Sequence, residues 1–422
     1  MSLSRREWLQ GAVSAPFMAS SASGGRAVAA QVRQEIKAQP GAPSLPDKAA
    51  FEHMNTLYFD SGSSHPLSRG GKAAIDEYLA SRTLLAGTEK HELDEEAPIK
   101  KFARLINADS DEISYVQSTT AGEQMILKAL GYPRTKARIV SDTLHFFGSF
   151  PLYEGLAKQG VEVAWVKDRE GRIDLADVAK AITPGTKLVA LSLVSTFNGF
   201  QHDLKAVCDL AHGQGALVYA DIIHAAGAIP LDVKASGVDF AACASYKWLM
   251  GEFGLGFLYV RKDVLPRLER TNFGYYGISE FQTHVYPLDP PGNQPADYAF
   301  SPNTAGQFML GTHAHTVIAL LNHSLDYING LGVPAIQAHS QQLVQRLKEE
   351  MPKMGYKLFS PLEAKTPIAT FIYADARKRL APRLRAANIH MTVSSNRFRL
   401  TPSVFNDQRD IDKVLAFFRA ES

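Results

Sequence analysis

From residue 113 onward, short apolar runs alternate with stretches whose apolar positions recur every three or four residues. The runs Ile113–Val116, Ala137–Ser141, Val161–Val166, Lys187–Val194, Ala216–Ala220, Phe240–Ser245 and Gly256–Val260 read as strands. Between them, Glu123–Leu130, Ser149–Gln159, Leu175–Ile182 and Leu204–Gln214 have helical spacing. Strand and helix in alternation predict an α/β fold with a mainly parallel sheet covered on both faces. Upstream, Leu57–Asp60 reads as a short strand, residues 61–66 as a polar loop, and Gly71–Arg82 and Glu95–Asn107 as helices. Past Arg270 the pattern changes. Phe273–Phe300, rich in Gly, Pro and Tyr, predicts a long irregular excursion; Gly306–Gly330 and Gly332–Met351 predict helices. The last residues mix strand and helix signals, as a smaller α+β C-terminal domain would. The expected division is an arm over 31–56, a large domain over 57–300 with a linking helix over 301–330, and a small domain over 331–422.

Composition narrows the class. A chain of 422 residues with 45% hydrophobic content can bury a sizeable core. Its 45 Lys and Arg against 43 Asp and Glu leave a formal charge of +2, which predicts no nucleic-acid partner. No apolar run after the N-terminal region has the length of a membrane span, so no stable membrane association is expected. Cys208 and Cys243, both in apolar surroundings, make neither a disulfide framework nor a metal-ligand spacing; no metal is expected.

Residues 1–30 differ from the rest. Arg5-Arg6-Glu7-Trp8-Leu9, a weakly apolar stretch and Ala27-Val28-Ala29 have the order of a signal peptide. The paired arginines resemble a twin-arginine export signal, with Trp8 where Phe is usual. That implies recognition by the twin-arginine export machinery, export in the folded state, and the periplasm as destination.

The chemistry concentrates in 220–256. One apolar run ends in Asp221, with His224 just beyond it; the next ends in Ser245-Tyr246-Lys247 and a Gly-rich turn. A Lys that can form a Schiff base and an Asp that can keep a pyridinium protonated are what pyridoxal 5'-phosphate (PLP) requires. His224, and the hydroxyls of Ser245 and Tyr246, are candidates for contacts to the cofactor's ring oxygen or phosphate. Ser118-Thr119-Thr120-Ala121-Gly122 leads from a strand into a helix, and Thr119 and Thr120 at that N-terminus suit the phosphate. His145 lies where a ring could stack on the cofactor, with Phe146 and Phe147 competing for the role. Arg399 opens a C-terminal strand and could hold a substrate carboxylate. Ser64 and His65 in the first polar loop are candidates for substrate contacts.

Together, STTAG entering a helix, His145, ADIIH, SYK and Ser301-Pro302-Asn303-Thr304 resemble the class V aminotransferase family of fold-type I PLP enzymes, which includes cysteine desulfurases, isopenicillin N epimerase-like proteins and kynureninases. The resemblance implies a fold-type I PLP-dependent transferase fold, a small-molecule substrate containing an amino acid, and a homodimer. It also implies that Lys247 holds the cofactor, that Asp221 pairs with its ring nitrogen, that His145 stacks on the ring, and that Arg399 binds carboxylate. Ser301, Asn303 and Thr304 would reach the phosphate of the neighbouring subunit. His224 and Tyr246 resemble kynureninase more than the desulfurases. Desulfurases carry a nucleophilic Cys before the arginine; residues 387–397 contain none. The expected role is tailoring of an amino-acid unit in a periplasmic siderophore or related metabolite, such as a pyoverdine glutamyl group. Kynureninase-like or sulfur-compound lyases, an amino-acid epimerase, and a ligand-binding protein without catalysis are the alternatives.

Overall fold

The computed structural model describes residues 3–4, 44–52, 55–84 and 93–421. The expected export signal therefore lies almost wholly outside the described residues, as does much of the arm. Two short strands come first: β1 (Leu3–Ser4) and β2 (Leu57–Tyr58). The main sheet is built from β3 (Ile113–Val116), β4 (Arg138–Asp142), β5 (Val163–Val166), β6 (Thr186–Ser192), β7 (Leu217–Asp221), β8 (Phe240–Ala244) and β9 (Gly256–Val260). Their order across it is β3-β9-β8-β7-β6-β4-β5, and only β9 runs against the others. Alternate residues feed opposite faces. In β6, Val189 and Leu191 join one core and Leu188 and Ala190 the other. A sheet buried on both sides explains why these strands read as continuous apolar runs.

Three expected elements differ. The helix expected from Glu123 begins at Thr119, because Ser118 Oγ accepts the Ala121 amide and makes the polar turn the first helical turn. Part of the excursion after Phe273 forms an antiparallel hairpin of β10 (Ile278–Thr283) and β11 (Ala296–Phe300), and β1 pairs with β10. The single helix expected over Gly306–Gly330 is two, Thr304–Phe308 and His315–Leu331.

The small domain carries β12 (Lys357–Leu358), β13 (Ala369–Ile372), β14 (Ile389–His390), β15 (Thr392–Val393) and β16 (Arg397–Leu400). Residues 57–60, expected in the large domain, belong to it by pairing and packing. β2 pairs with β14, Asp60 bridges to Thr401, and Phe59 is buried among Phe371, Phe398 and Phe418. The loop after β2 thus runs from the small domain onto the edge of the main sheet.

Candidate functional site

The carboxyl ends of β3, β4, β6, β7 and β8 lie along one edge of the main sheet, where parallel α/β sheets place their ligands. Asp221 is the last residue of β7 and is buried. Its Oδ1 accepts the Ile223 amide at 2.9 Å. Burial raises its carboxyl above the ordinary range, although that amide and the charges of His145 and Lys247 oppose the shift. A cationic ring N–H held opposite would favour the carboxylate form.

Lys247 sits in the turn that follows β8. Ser245 Oγ donates to the carbonyls of Glu252 (2.7 Å) and Leu255 (2.8 Å) and closes that turn. Its hydroxyl proton is committed to those carbonyls, which corrects its expected role as a phosphate donor. The next turn over packs tightly beneath: a Cβ on Gly227, whose φ is +86°, would stand 2.5 Å from the Trp248 carbonyl oxygen. Trp248 Nε1–H donates to His224 Nδ1 at 3.3 Å, and His224 Nε2 lies 3.1 Å from Lys247 Nζ. Burial, with the charges of Lys247 and Arg399, keeps the imidazole neutral. With Nδ1 accepting from Trp248, the ring proton is on Nε2 and faces Nζ, so the contact becomes a hydrogen bond once the amine loses its proton. Burial, then the Arg399 charge, lower Lys247 from 10.5 to about 8, against the pull of Asp221. The amine is thereby prepared as a nucleophile.

His145 is fully buried beyond β4. Its Nδ1 lies 2.9 Å from Ser192 Oγ and its Nε2 3.0 Å from Glu123 Oε1. Glu123 also accepts from Ser149 (2.6 Å) and Tyr153 (2.5 Å). Burial opposes the pair, but the charges and hydrogen bonds prevail: Glu123 is held below the ordinary carboxylate range and His145 above the imidazole range. Periodicity alone did not single out Glu123, since one acid on a helix reads as a solvated position.

At the start of the helix Thr119–Ala129, Thr119 Oγ1 accepts the Ala244 amide at 2.9 Å and ties the helix to β8. Thr120 stands half-buried beside it. Gly122 permits the approach, since a Cβ there would lie 2.9 Å from that of Ala242. The first-turn amides of such a helix have no intrahelical acceptors, which suits a phosphate.

A cavity of about 370 Å³ opens in front of Lys247, between the two domains. Tyr246, stacked on Phe253 with centroids 4.4 Å apart, forms part of its wall, and Phe146, Phe147 and Phe197 form another. Arg399 reaches it from the small domain. Its Nη1 donates to Thr196 O (3.0 Å) and Oγ1 (2.8 Å), and its Nη2 to Ser63 (2.8 Å) and Thr392 (3.1 Å). Asp60 stands 3.6 Å behind Nη2, while Nε has no partner among the described residues. A larger cavity of about 640 Å³, by Arg377 and His390, shares no lining residue with this one.

Two further expectations need correction. His65 does not reach the cavity. Its ring is packed between Phe51 and Phe405, its nitrogens face Pro66 O and Ser403 Oγ at 2.8 Å each, and burial lowers it to about 4. Ser64 is half-buried and gives its carbonyl to the Tyr58 hydroxyl; Ser63 lines the cavity instead. Thr304 is fully buried, and its hydroxyl has no partner among the described residues. Asn303 Oδ1 caps the helix it precedes by accepting the Gly306 amide, and Ser301 remains half-exposed. Both thiols are buried away from the cavity, Cys208 in the helix Leu204–His212 and Cys243 in β8. Burial pushes Cys208 up to about 12 and raises Cys243 as well.

The chain is 29% identical to a probable cysteine desulfurase of Methanothermobacter thermautotrophicus, over 69% of this chain and 71% of that one. It is 25% identical to the uncharacterized aminotransferase YcbU of Bacillus subtilis, over 84% and 92%. Among solved structures it superposes on the apo cysteine desulfurase of Thermococcus onnurineus with a TM-score of 0.74, at 23% identity over 86% and 94%. The cystine C–S lyase C-DES, in complex with cysteine persulfide, gives 0.76 at 18% identity over 87% and 98%. Residues 58–393 match the aminotransferase class-V family, and the chain belongs to that family of PLP-dependent enzymes, with the fold-type I architecture.

Proposed function

We propose that the protein acts at the Cα of an amino-acid unit without using an enzyme thiol, and that it does so after export, tailoring a siderophore or related metabolite such as a pyoverdine glutamyl group. The observation that carries the Cα chemistry is the convergence of Lys247 and Arg399 on one cavity, with Asp221 at the sheet edge behind. When bound, the cofactor supplies an electron sink for a bond broken at Cα. Lys247 and Asp221 would hold it, with the first turn at Thr119–Thr120 receiving its phosphate. Arg399 would bind the substrate carboxylate and so orient the bonds at Cα in front of Lys247. Lys247 would take or return the proton at Cα, its partner His224 Nε2 steering the amine. The Phe146–Phe147 wall limits water.

The thiol-free reading is supported by the buried cysteines and by the absence of Cys from 387–397. Export rests on Arg5-Arg6 and the segment behind it. A homodimer is part of the proposal, with Ser301 and Asn303 turned toward the partner. The names of the relatives favour one second reading, cleavage of a carbon–sulfur bond.

The test is incubation of the yellow, borohydride-bleachable protein with an unacylated siderophore precursor, kynurenine, cysteine, cystine and simple amino acids, followed by mass spectrometry. Loss of CO2 from a glutamyl unit supports the proposal. Release of sulfur from cysteine or cystine as the efficient reaction selects the second reading, and racemisation alone sinks both. Export is checked by Arg5→Lys with Arg6→Lys, which should leave the protein in the cytoplasm.

A further inference from the structure

The cavity in front of Lys247 holds more positive charge than a simple amino acid can use. Three cations line it, Lys247, Arg397 and Arg399, and none of its lining residues is Asp or Glu. Arg397 and Arg399 lie two apart on β16, so their side chains share a face. They differ in what they touch. Both terminal nitrogens of Arg399 are committed to Thr196, Ser63 and Thr392, with Asp60 behind. The Arg397 guanidinium lies over the Phe197 ring at 4.8 Å and has neither a hydrogen bond nor an ion pair among the described residues. It is half-buried, and burial alone perturbs it; no acid offsets the cost. Stacking on an aromatic face leaves the edge of a guanidinium open to a planar anion.

We propose that Arg397 is the receptor for a second, side-chain carboxylate, so that the substrate is a dicarboxylic amino acid with both carboxylates free; a glutamyl unit joined to a metabolite through one carboxyl would fill only one of the two arginines. One carboxylate goes to Arg399 beside Lys247. The other lies along the Phe197 wall against Arg397. A neutral side chain would leave the Arg397 charge without a partner in a site closed by the substrate.

This deepens the proposed reaction and rests on it only for the name of the substrate. The anion receptor is tested without that chemistry by amine-free probes. The holoenzyme is titrated calorimetrically with glutarate and with its monoamide, glutaramate. A charge-assisted pair predicts roughly tenfold or greater preference for glutarate. Arg397→Gln should abolish that preference while leaving glutaramate binding within about twofold, and Arg397→Lys, which keeps the charge without the fork, should restore part of it. Equal binding of the two probes by the wild type overturns the proposal. So does an Arg397→Gln variant, folded by its melting temperature, that weakens both probes equally, since Arg397 would then hold the carboxylate assigned to Arg399. Failure of the Cα chemistry instead shows as a colourless protein, or as one that alters no amino acid, whatever the probes do.

Discussion

Replacing Lys247 by Met in the cofactor-stripped protein should reverse the usual effect of pH on a lysine substitution. The side chain is almost completely buried, and Met keeps its length and most of its packing. In the fold the amine titrates near 8; in the unfolded chain it returns to 10.5. Below about 8 both states are protonated, and the fold carries the full penalty of a buried ammonium. Between about 8 and 10.5 the unfolded chain binds more protons than the native one, so wild-type stability rises with pH across that window relative to the variant. At about 1.4 kcal/mol per pH unit, the rise is about 3 kcal/mol. The His224 hydrogen bond forms only to the neutral amine, so its loss costs the variant about 1 kcal/mol above about pH 8 and acts in the same direction, and the change with pH is the informative quantity. Urea unfolding of both proteins at intervals from pH 7 to 10 measures it. The variant should be the more stable at pH 7, and the difference should shrink or change sign by pH 10. A difference that stays constant across the window, or grows with pH, refutes the account of a buried, destabilised amine.

Three other variants test the parts around it. Glu123→Gln removes the partner of His145 and should cost roughly 3 kcal/mol in urea unfolding. Because Glu123 is lowered and His145 raised, the loss should be greatest between their ordinary values of 4.5 and 6.5, shrinking as pH falls through the lowered carboxyl or rises through the raised imidazole. Gly227→Ala must place a Cβ against the Trp248 carbonyl at positive φ and should destabilise by roughly 3 kcal/mol, with faster cofactor release followed by absorbance as Trp248 and His224 shift. Cys208→Ala combined with Cys243→Ala should lower the melting temperature slightly and leave turnover within about twofold, since small losses of buried volume are what the change amounts to; a persulfide found on either thiol during turnover would contradict the thiol-free chemistry.

The large-domain strands were legible because most are buried on two faces and all are bounded by polar turns, so apolar runs alone locate them; the edge strand β5 is buried only at Val166. Asp221, Lys247 and Arg399 were legible because they end or open such runs. Pairings made across the chain were not. Nothing in Phe59 says that its partners are Phe371, Phe398 and Phe418, and nothing in residues 61–66 says that Ser63 rather than His65 faces the cavity. His65 lost that place because a loop between two domains turns its ring toward Phe51 and Phe405. Arg397 was available to strand periodicity, two residues before Arg399, but that its guanidinium meets no acceptor among the described residues is visible only in three dimensions. The excursion after Phe273 hid its hairpin because the strands face solvent and carry no continuous apolar run.

The pairing of β2 with the small domain has a consequence for how the protein is made. Gly62 donates to Thr401, 339 residues further along the chain. At roughly 5–20 residues per second, that interval is roughly 15–70 s of translation. Through it the Phe59 side chain has no core to enter, while the main sheet and the Lys247 turn can already have formed. The last segment off the ribosome brings both the cover for Phe59 and the arginines of the cavity. A nascent chain stopped before β14 would carry the cofactor lysine with no carboxylate receptor opposite it, and an exposed aromatic strand that invites chaperones or aggregation.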